Sequence, residues 1–445
     1  MRNYFILIFS LLSLIAQAQN WTMLPSAPYN GGKQDDIYFI NPDTGWAVNG
    51  SGIISRTNNG GSTWTKQVTM TGTYFRCIQM VDELRGFAGN IGTNYFPDVT
   101  DDTPLYQTTD GGTTWTPTTI SGATVTGLCA LDMVSTPFIN AGILDTNITI
   151  YGAGRVGGPT SFIKSSDGGQ SWTAINMSSY IAMITDVKFI SRDTGFIFGG
   201  TNANVSLSNA KILFTTDGGN SFTTVYQSTR SLELIWKGCF PDGNIGYATV
   251  LSYNSNTTAR FVVKTIDRGQ TWVELPFVNT GLQEFGIGFA NASLGWVGTS
   301  ASGYQTTDGG QTWTPKSIGQ YANKIRVIKT GNDYVAYAIG LRVYKSSGIL
   351  SATTNKDPNP EPSLLVYPNP SVQGKFTIEY PEMMPENCIV EVFNLEGRVV
   401  PTSAIQQDQS MILTVHTPIP GAYLLKITSG NTIVSKSIIL GQIKP

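Results

Sequence analysis

Few side chains in this sequence could carry covalent chemistry. The only histidine is His416, near the C-terminal end. A Ser-His-Asp or Cys-His nucleophile needs an imidazole base, so the first 350 residues cannot build one. Ordinary His-ligated zinc or copper is excluded there on the same ground. No Gly-x-x-x-x-Gly-Lys-Ser/Thr phosphate loop occurs, and no cofactor is expected. Glycoside hydrolysis needs only carboxylates, and Glu233 and Glu284 are the candidates for it. Arg76, Arg155, Arg230, Arg260 and Arg326 could converge on an anionic sugar, but nothing in their spacing requires it. Asp98, Asp101 and Asp102 cluster oxygens of the kind calcium takes, without an EF-hand spacing. They are the one metal alternative; otherwise no metal is expected.

The remaining acidic residues of note are repeated, and the repeats define the elements around them. Thr108-Thr109-Asp110-Gly111-Gly112-Thr113-Thr114-Trp115 recurs as Ser165 to Trp172 and Thr306 to Trp313. Looser copies are Thr57 to Trp64, Thr215 to Phe222 and Thr265 to Trp272. Each follows a β-prone apolar run such as Ile212-Leu213-Phe214. The short acid or amide accepts backbone N–H bonds inside a turn. The glycines supply positive φ, and the closing aromatic anchors the hairpin in a core. Asn59, Asp110, Asp167, Asp217, Asp267 and Asp308 therefore read as structural. A group needed at every repeat is what a turn requires and what a unique active site does not. A second phrase accompanies the first: Asp43-Thr44-Gly45-Trp46, Asp193-Thr194-Gly195-Phe196, Ser293-Leu294-Gly295-Trp296 and the looser Asn244-Ile245-Gly246-Tyr247. It reads as the turn from the first strand of each repeat to the second.

The closing aromatics lie 51, 57, 50, 50 and 41 residues apart. That suits about one four-stranded propeller blade per repeat. The phrase resembles the Asp-box, or BNR repeat, of sialidase-like β-propellers. Its pairing with the Gly-aromatic turn resembles the Ycf48-like subgroup. The resemblance implies an all-β, seven-bladed propeller. Its blades would run from Asp36 to Val68, then to Thr118, Asn176, Tyr226, Phe277 and Ser317. The seventh would join Asn323–Ser347 to Trp21–Leu24, so that the N-terminal strand closes the last blade. Sialidases of this fold add an Arg triad, a Tyr nucleophile and an Arg-Ile-Pro phrase, and that phrase is absent here. Xyloglucanases with such boxes use two propellers, and this chain has room for one.

Strand polarity puts the boxes and Gly-aromatic turns on one face. The loops between second and third strands then lie on the other, and four are long: Asn90–Pro104, Gly154–Ser161, Gly200–Lys211 and Ser252–Arg260. Loops of that size often carry function. With the blade connections they bring Tyr74, Tyr95, Phe96, Arg155, Tyr180, Arg230, Tyr253, Arg260 and Tyr321 to a shallow funnel suited to a glycan or a peptide.

Charged residues are 13% of the chain and the net charge is −2, so no basic footprint points to nucleic acid. Met1-Arg2-Asn3, an apolar run from Tyr4 to Ile15 and Ala16-Gln17-Ala18 read as a signal peptide spanning 1–18. No later stretch could span a membrane. Cys77, Cys129, Cys239 and Cys388 are too scattered for a disulfide framework. A propeller domain over 19–350 would be followed by a Pro-rich linker at 351–362. Beyond it, Tyr367-Pro368-Asn369-Pro370, a Leu-Glu-Gly-Arg turn at Gly397, Gly421-Ala422-Tyr423 and a closing strand with Lys436 argue a small β-sandwich over 363–445. This order resembles the type A C-terminal sorting domain of the Bacteroidetes type IX secretion system. The resemblance implies the type IX machinery as a partner and a secreted or outer-membrane-surface location. The expectation is a noncatalytic binding or adhesion protein with a glycan or protein ligand. The alternative is a secreted glycoside hydrolase.

Overall fold

In a computed structural model the described residues are 20–29, 31–140, 143–350 and most of 365–443. The expected signal peptide and linker lie outside them, as do Pro368, Pro370 and Gly397. The described chain is built of strands, with one short 3-10 turn at Val205–Leu207.

Seven sheets precede residue 350 among the described residues. The first is Gln34–Phe39, Gly45–Asn49, Ile53–Thr57 and Thr65–Thr69, each strand antiparallel to the next. The same meander recurs in sheets starting at Phe75, Ala130, Met183, Glu233, Glu284 and Lys324. Burial grades across each. The leading strand of the first sheet is almost wholly buried and its fourth strand is largely exposed, so the leading strands form the inside. The seventh sheet has three consecutive strands, and Thr22–Met23 supplies its fourth by pairing with Lys345 and Tyr344. Trp21 sits edge-on to Trp296 of the sixth sheet at 5.6 Å, as Trp172 sits on Phe87 of the second at 5.1 Å. The seventh sheet also touches the first: Tyr337 stacks on Phe39 at 3.8 Å, and Gln34 N–H donates to the Gly340 carbonyl.

The third sheet departs from the simple repeat. Its first hairpin is long, Ala130–Asn140 with Ile143–Gly154, and Ser121–Gly122 adds a parallel strand to its outer edge. The 57-residue spacing between Trp115 and Trp172 holds this extra chain. The short terminal strand Gln442–Ile443 pairs with this hairpin near its tip.

All six repeated turns fall between third and fourth strands. In the Asp110 turn, the Thr114 N–H donates to Oδ1 at 2.9 Å and its hydroxyl to Oδ2 at 2.7 Å. Thr108 also donates to Oδ1 and receives the Gly112 N–H, while the Trp115 indole donates to the Gly112 carbonyl. Asn59 makes the equivalent bonds with Thr57 and Thr63. The second glycine is forced twice over. Gly169 has φ 95°, and a Cβ there would strike the Phe87 ring. At Asp267 the first glycine is replaced by Arg268, which still adopts φ 62°.

The turns also join neighbouring sheets. Lys164 donates to the Gly218 carbonyl in the turn of the next sheet at 3.0 Å, Lys264 to Gly309 at 3.1 Å and Lys345 to Gly60 at 3.1 Å. Each lysine also lies over a tyrosine of its own sheet: Tyr151, Tyr247 and Tyr337. Those tyrosines stack on Phe189, Phe289 and Phe39 of the following sheet.

Beyond the linker, two four-stranded sheets run from Leu365–Tyr367 to Thr432–Leu440. They share one core of Phe376, Leu413, Val392, Leu425, Ile427 and their neighbours. Tyr423 is buried in it with its hydroxyl donating to the Ile419 carbonyl, next to Gly421 at the strand start. Asn369 accepts from the Ile439 N–H, Tyr367 bonds Glu379, and Lys436 is exposed opposite Leu425.

Candidate functional site

The innermost strands carry polar residues in otherwise apolar runs, such as Asp186 in Met-Ile-Thr-Asp-Val-Lys-Phe and Lys237 in Glu-Leu-Ile-Trp-Lys-Gly-Cys. Three of the acids receive a backbone N–H from the next sheet. Asp36 accepts from Ile78, Asp132 from Phe189 at 2.7 Å and Asp186 from Gly238 at 3.1 Å. Burial opposes ionisation of Asp186, yet Lys237 and Lys324 beside it hold its carboxyl below the usual range. The inner wall is thus a charge network that fastens sheet to sheet.

On the face opposite the turns this network opens into an aromatic mouth. Trp236 and Phe285 meet edge-on at 5.9 Å, and the Lys33 amine lies 5.1 and 5.2 Å from their ring centres. Arg76, ion-paired with buried Asp35, covers Trp236 at 5.0 Å. The Trp236 indole donates to Asn323. Burial, and Arg76 nearby, pull the half-buried Lys33 down to about 7. Around this centre Tyr74 stacks on Phe96 at 4.8 Å, Tyr95 abuts Phe96 edge-on at 4.6 Å, and Tyr321 tilts against Phe285. Tyr95, Tyr253 and Tyr321 are 40%, 42% and 40% exposed and so stay open to solvent.

The other residues singled out in the sequence have different surroundings. Arg155 is buried and donates to the carbonyls of Ile91, Thr93 and Gly158. Arg260 is buried and donates to Thr257, Ala259, Gly281 and Leu282 carbonyls. Both guanidiniums fasten the long loops through these carbonyls. Arg230 is held by Glu233 at 2.6 Å and by both oxygens of Glu274. Tyr180 packs on Phe222. Asp101 accepts from Thr73, Tyr106 and the Thr103 N–H, which ties its loop down. Asp98 and Asp102 do not join it in a cluster: among the described residues no three His, Cys, Asp or Glu side chains gather as a metal site would need. Glu233 is 3% and Glu284 0% exposed. Burial raises both carboxyls, that of Glu284 well above the ordinary value, against the pull of Arg230 and Arg260 respectively.

Lys33, Asp35, Trp236, Phe285 and Asn323 had no part in the sequence reading. Trp236 carries a signal, an indole within a leading strand, whereas Lys33 and Asn323 lie just before their strands and leave no such pattern.

The comparisons with known proteins fit this architecture. Residues 365–441 match the family described as a secretion system C-terminal sorting domain. This implies engagement with the type IX secretion machinery and a place outside the cell or on its surface. No curated protein matches the chain by sequence. Among solved structures the chain is similar to Ycf48 bound to D1 peptide, with 14% identity over 75% of this chain and 95% of that one, TM-score 0.51. Ycf48 from Cyanidioschyzon merolae gives 16% identity over 74% and 98%, TM-score 0.52. An ancestral GH74 enzyme gives 12% identity over 95% and 64%, TM-score 0.50. At such identities these matches speak to fold alone: a β-propeller.

Proposed function

We propose that the chain is a type IX-secreted, noncatalytic binding or adhesion protein. Its propeller is a closed ring of seven Asp-box blades, and its ligand is an extracellular glycan or protein held at the aromatic mouth. The pairing of Thr22–Met23 with the seventh sheet and the contacts of Tyr337 and Lys345 with the first sheet support the ring. The observation that carries the function is the division of labour at the mouth. Its charged groups are largely consumed in internal pairs, while Tyr95, Tyr253 and Tyr321 present open rings. Flat aromatic faces suit the C–H faces of sugars, which favours a glycan. A peptide is the second choice, since a propeller of similar fold has been captured with one.

Hydrolysis is the weaker reading. A glycosidase needs two carboxyl groups reaching the sugar, about 5–10 Å apart. Burial of Glu233 and Glu284 beside Arg230 and Arg260 speaks for a structural part for both. A glycan array is the test. Retained glycan with no released sugar, and binding lost in Tyr95→Ala/Tyr253→Ala, is the expected result. Sugar release abolished by Glu233→Gln or Glu284→Gln would establish the hydrolase instead. Removing 363–445 should leave a folded propeller in the periplasm, and normal secretion of that truncation would refute the sorting role.

A further inference from the structure

The end of the axial channel on the turn-bearing face opens as a cavity of about 150 Å³, lined by the leading strands of five consecutive sheets and the turns that follow them, from Leu131 to Lys329. The proposed ligand mouth is at the other end. Lys188, Lys324, Arg326 and Lys329 line the cavity, with Asp132 and Asp186. Lys188 donates to Asp132 at 2.7 Å. Lys324 and Lys237 share Asp186 at 3.2 and 3.4 Å. Arg326 donates to the Ile37 carbonyl at 3.1 Å and reaches Asp36 at 3.4 Å. Lys329 finds only the Pro241 carbonyl, at 2.6 Å. The neighbouring Asp242 is engaged by the N–H groups of Asn244 and Ile245 in its own turn.

The buried part of the network therefore sets four cations (Lys188, Lys237, Lys324, Arg326) against three carboxylates (Asp36, Asp132, Asp186), a surplus of one positive charge, and exposed Lys329 stands at the rim near Asp242. Lys237 and Lys324 are only 4% and 12% exposed at the side chain, and Arg326 18%. A buried charge without a partner is costly, and an anion among several ammonium and guanidinium donors relieves that cost. Lys237 reflects the strain: burial first, then Lys324 and Arg76 against the pull of Asp186, bring it down to about 8.

We infer that this cavity is an oxyanion site that takes a sulfate or phosphate group, free or as an ester on a larger molecule. The volume admits one tetrahedral oxyanion, and Lys329 stands at the rim. The cavity lies at the opposite end of the network from the aromatic mouth, and Lys237, over the Trp236 ring at 5.9 Å, stands between them.

Calorimetric titration of the full chain with inorganic phosphate and with sulfate, at ionic strength matched with chloride, tests this. One saturable site is expected, weakened about tenfold in Lys329→Ala, whose side chain is exposed and whose loss leaves the fold intact. Lys188→Gln should weaken it similarly, and a circular-dichroism melt of each variant confirms folding. Competition with glucose 6-phosphate separates the sources: displacement supports an ester group, and failure to displace supports the free ion. No saturable heat with either ion, or an unchanged site in both folded variants, would overturn the inference.

Discussion

The two faces of the propeller are built on different rules. On one, six turns repeat the same hydrogen bonds with nearly the same residues, from Asn59 to Asp308. On the other, the loops between second and third strands run from short turns at 50–52, 300–302 and 340–342 to the long segment at 91–104, and the three open tyrosines each come from a different connection. Repetition marks what every sheet needs to hold its neighbour. Departure from repetition marks where one place must differ from the other six.

The sharpest way to break this comparison is to remove the strand on which the proposed closure of the ring rests. Deleting Trp21–Leu24 exposes the edge of the seventh sheet and uncovers Trp296, and loss of an aromatic of this kind costs about 3–5 kcal/mol. The melting temperature should fall by roughly 10 °C or more, and an unchanged melt would mean that the N-terminal strand closes nothing. Asp186→Ala comes next. It strands Lys237 and Lys324 without their carboxylate and should cost about 3–5 kcal/mol in a denaturant titration.

The repeated turns predict a smaller and graded response. Asp110→Ala loses the acceptor for the Thr108 and Thr114 bonds and should cost about 1 kcal/mol. Asp110→Asn should cost little, because Asn59 already does the same task. Asp110, Asp167 and Asp217 are held down to about 2, chiefly by bonds from Thr114 and Ser221 in the first and third and, against burial, from Ser171 in the second. Folded values below the ordinary 3.8 mean stability that is present above about pH 4 and drains away as pH falls towards 2. Asn variants should flatten that fall in a pH-resolved melt. Glu284 has the opposite sign. Its raised carboxyl loses stability as pH climbs above the unfolded value of 4.5, so Glu284→Gln should raise the melting temperature at pH 7. Smallest is Arg268→Gly, which relieves positive φ in a side-chain-bearing residue and should gain up to about 1 kcal/mol.

The hairpins, the strand order within each sheet and the sandwich were legible in the sequence because turn chemistry is local: an acid, two glycines and an aromatic at fixed offsets specify one geometry. The inner wall was not. Asp186 and Lys324 are 138 positions apart and meet only when the fourth and seventh sheets face each other across the channel. The carbonyl bonds of Arg155 and Arg260 were not legible either, because the loop carbonyls they fasten come together only in the folded chain. The added strand at Ser121–Gly122 is too short to leave a pattern.

The central claim is that the repeated turns are structural and that the glycan or protein ligand is held on the varied face. One glycan-array experiment tests it directly, comparing wild type with Asp110→Asn/Asp308→Asn and with Tyr95→Ala/Tyr253→Ala. The expected profile is unchanged in the first pair and lost in the second, with no sugar released by any of the three. A blank array for the wild type, or a profile that survives the tyrosine changes and fails with the aspartates, would contradict it.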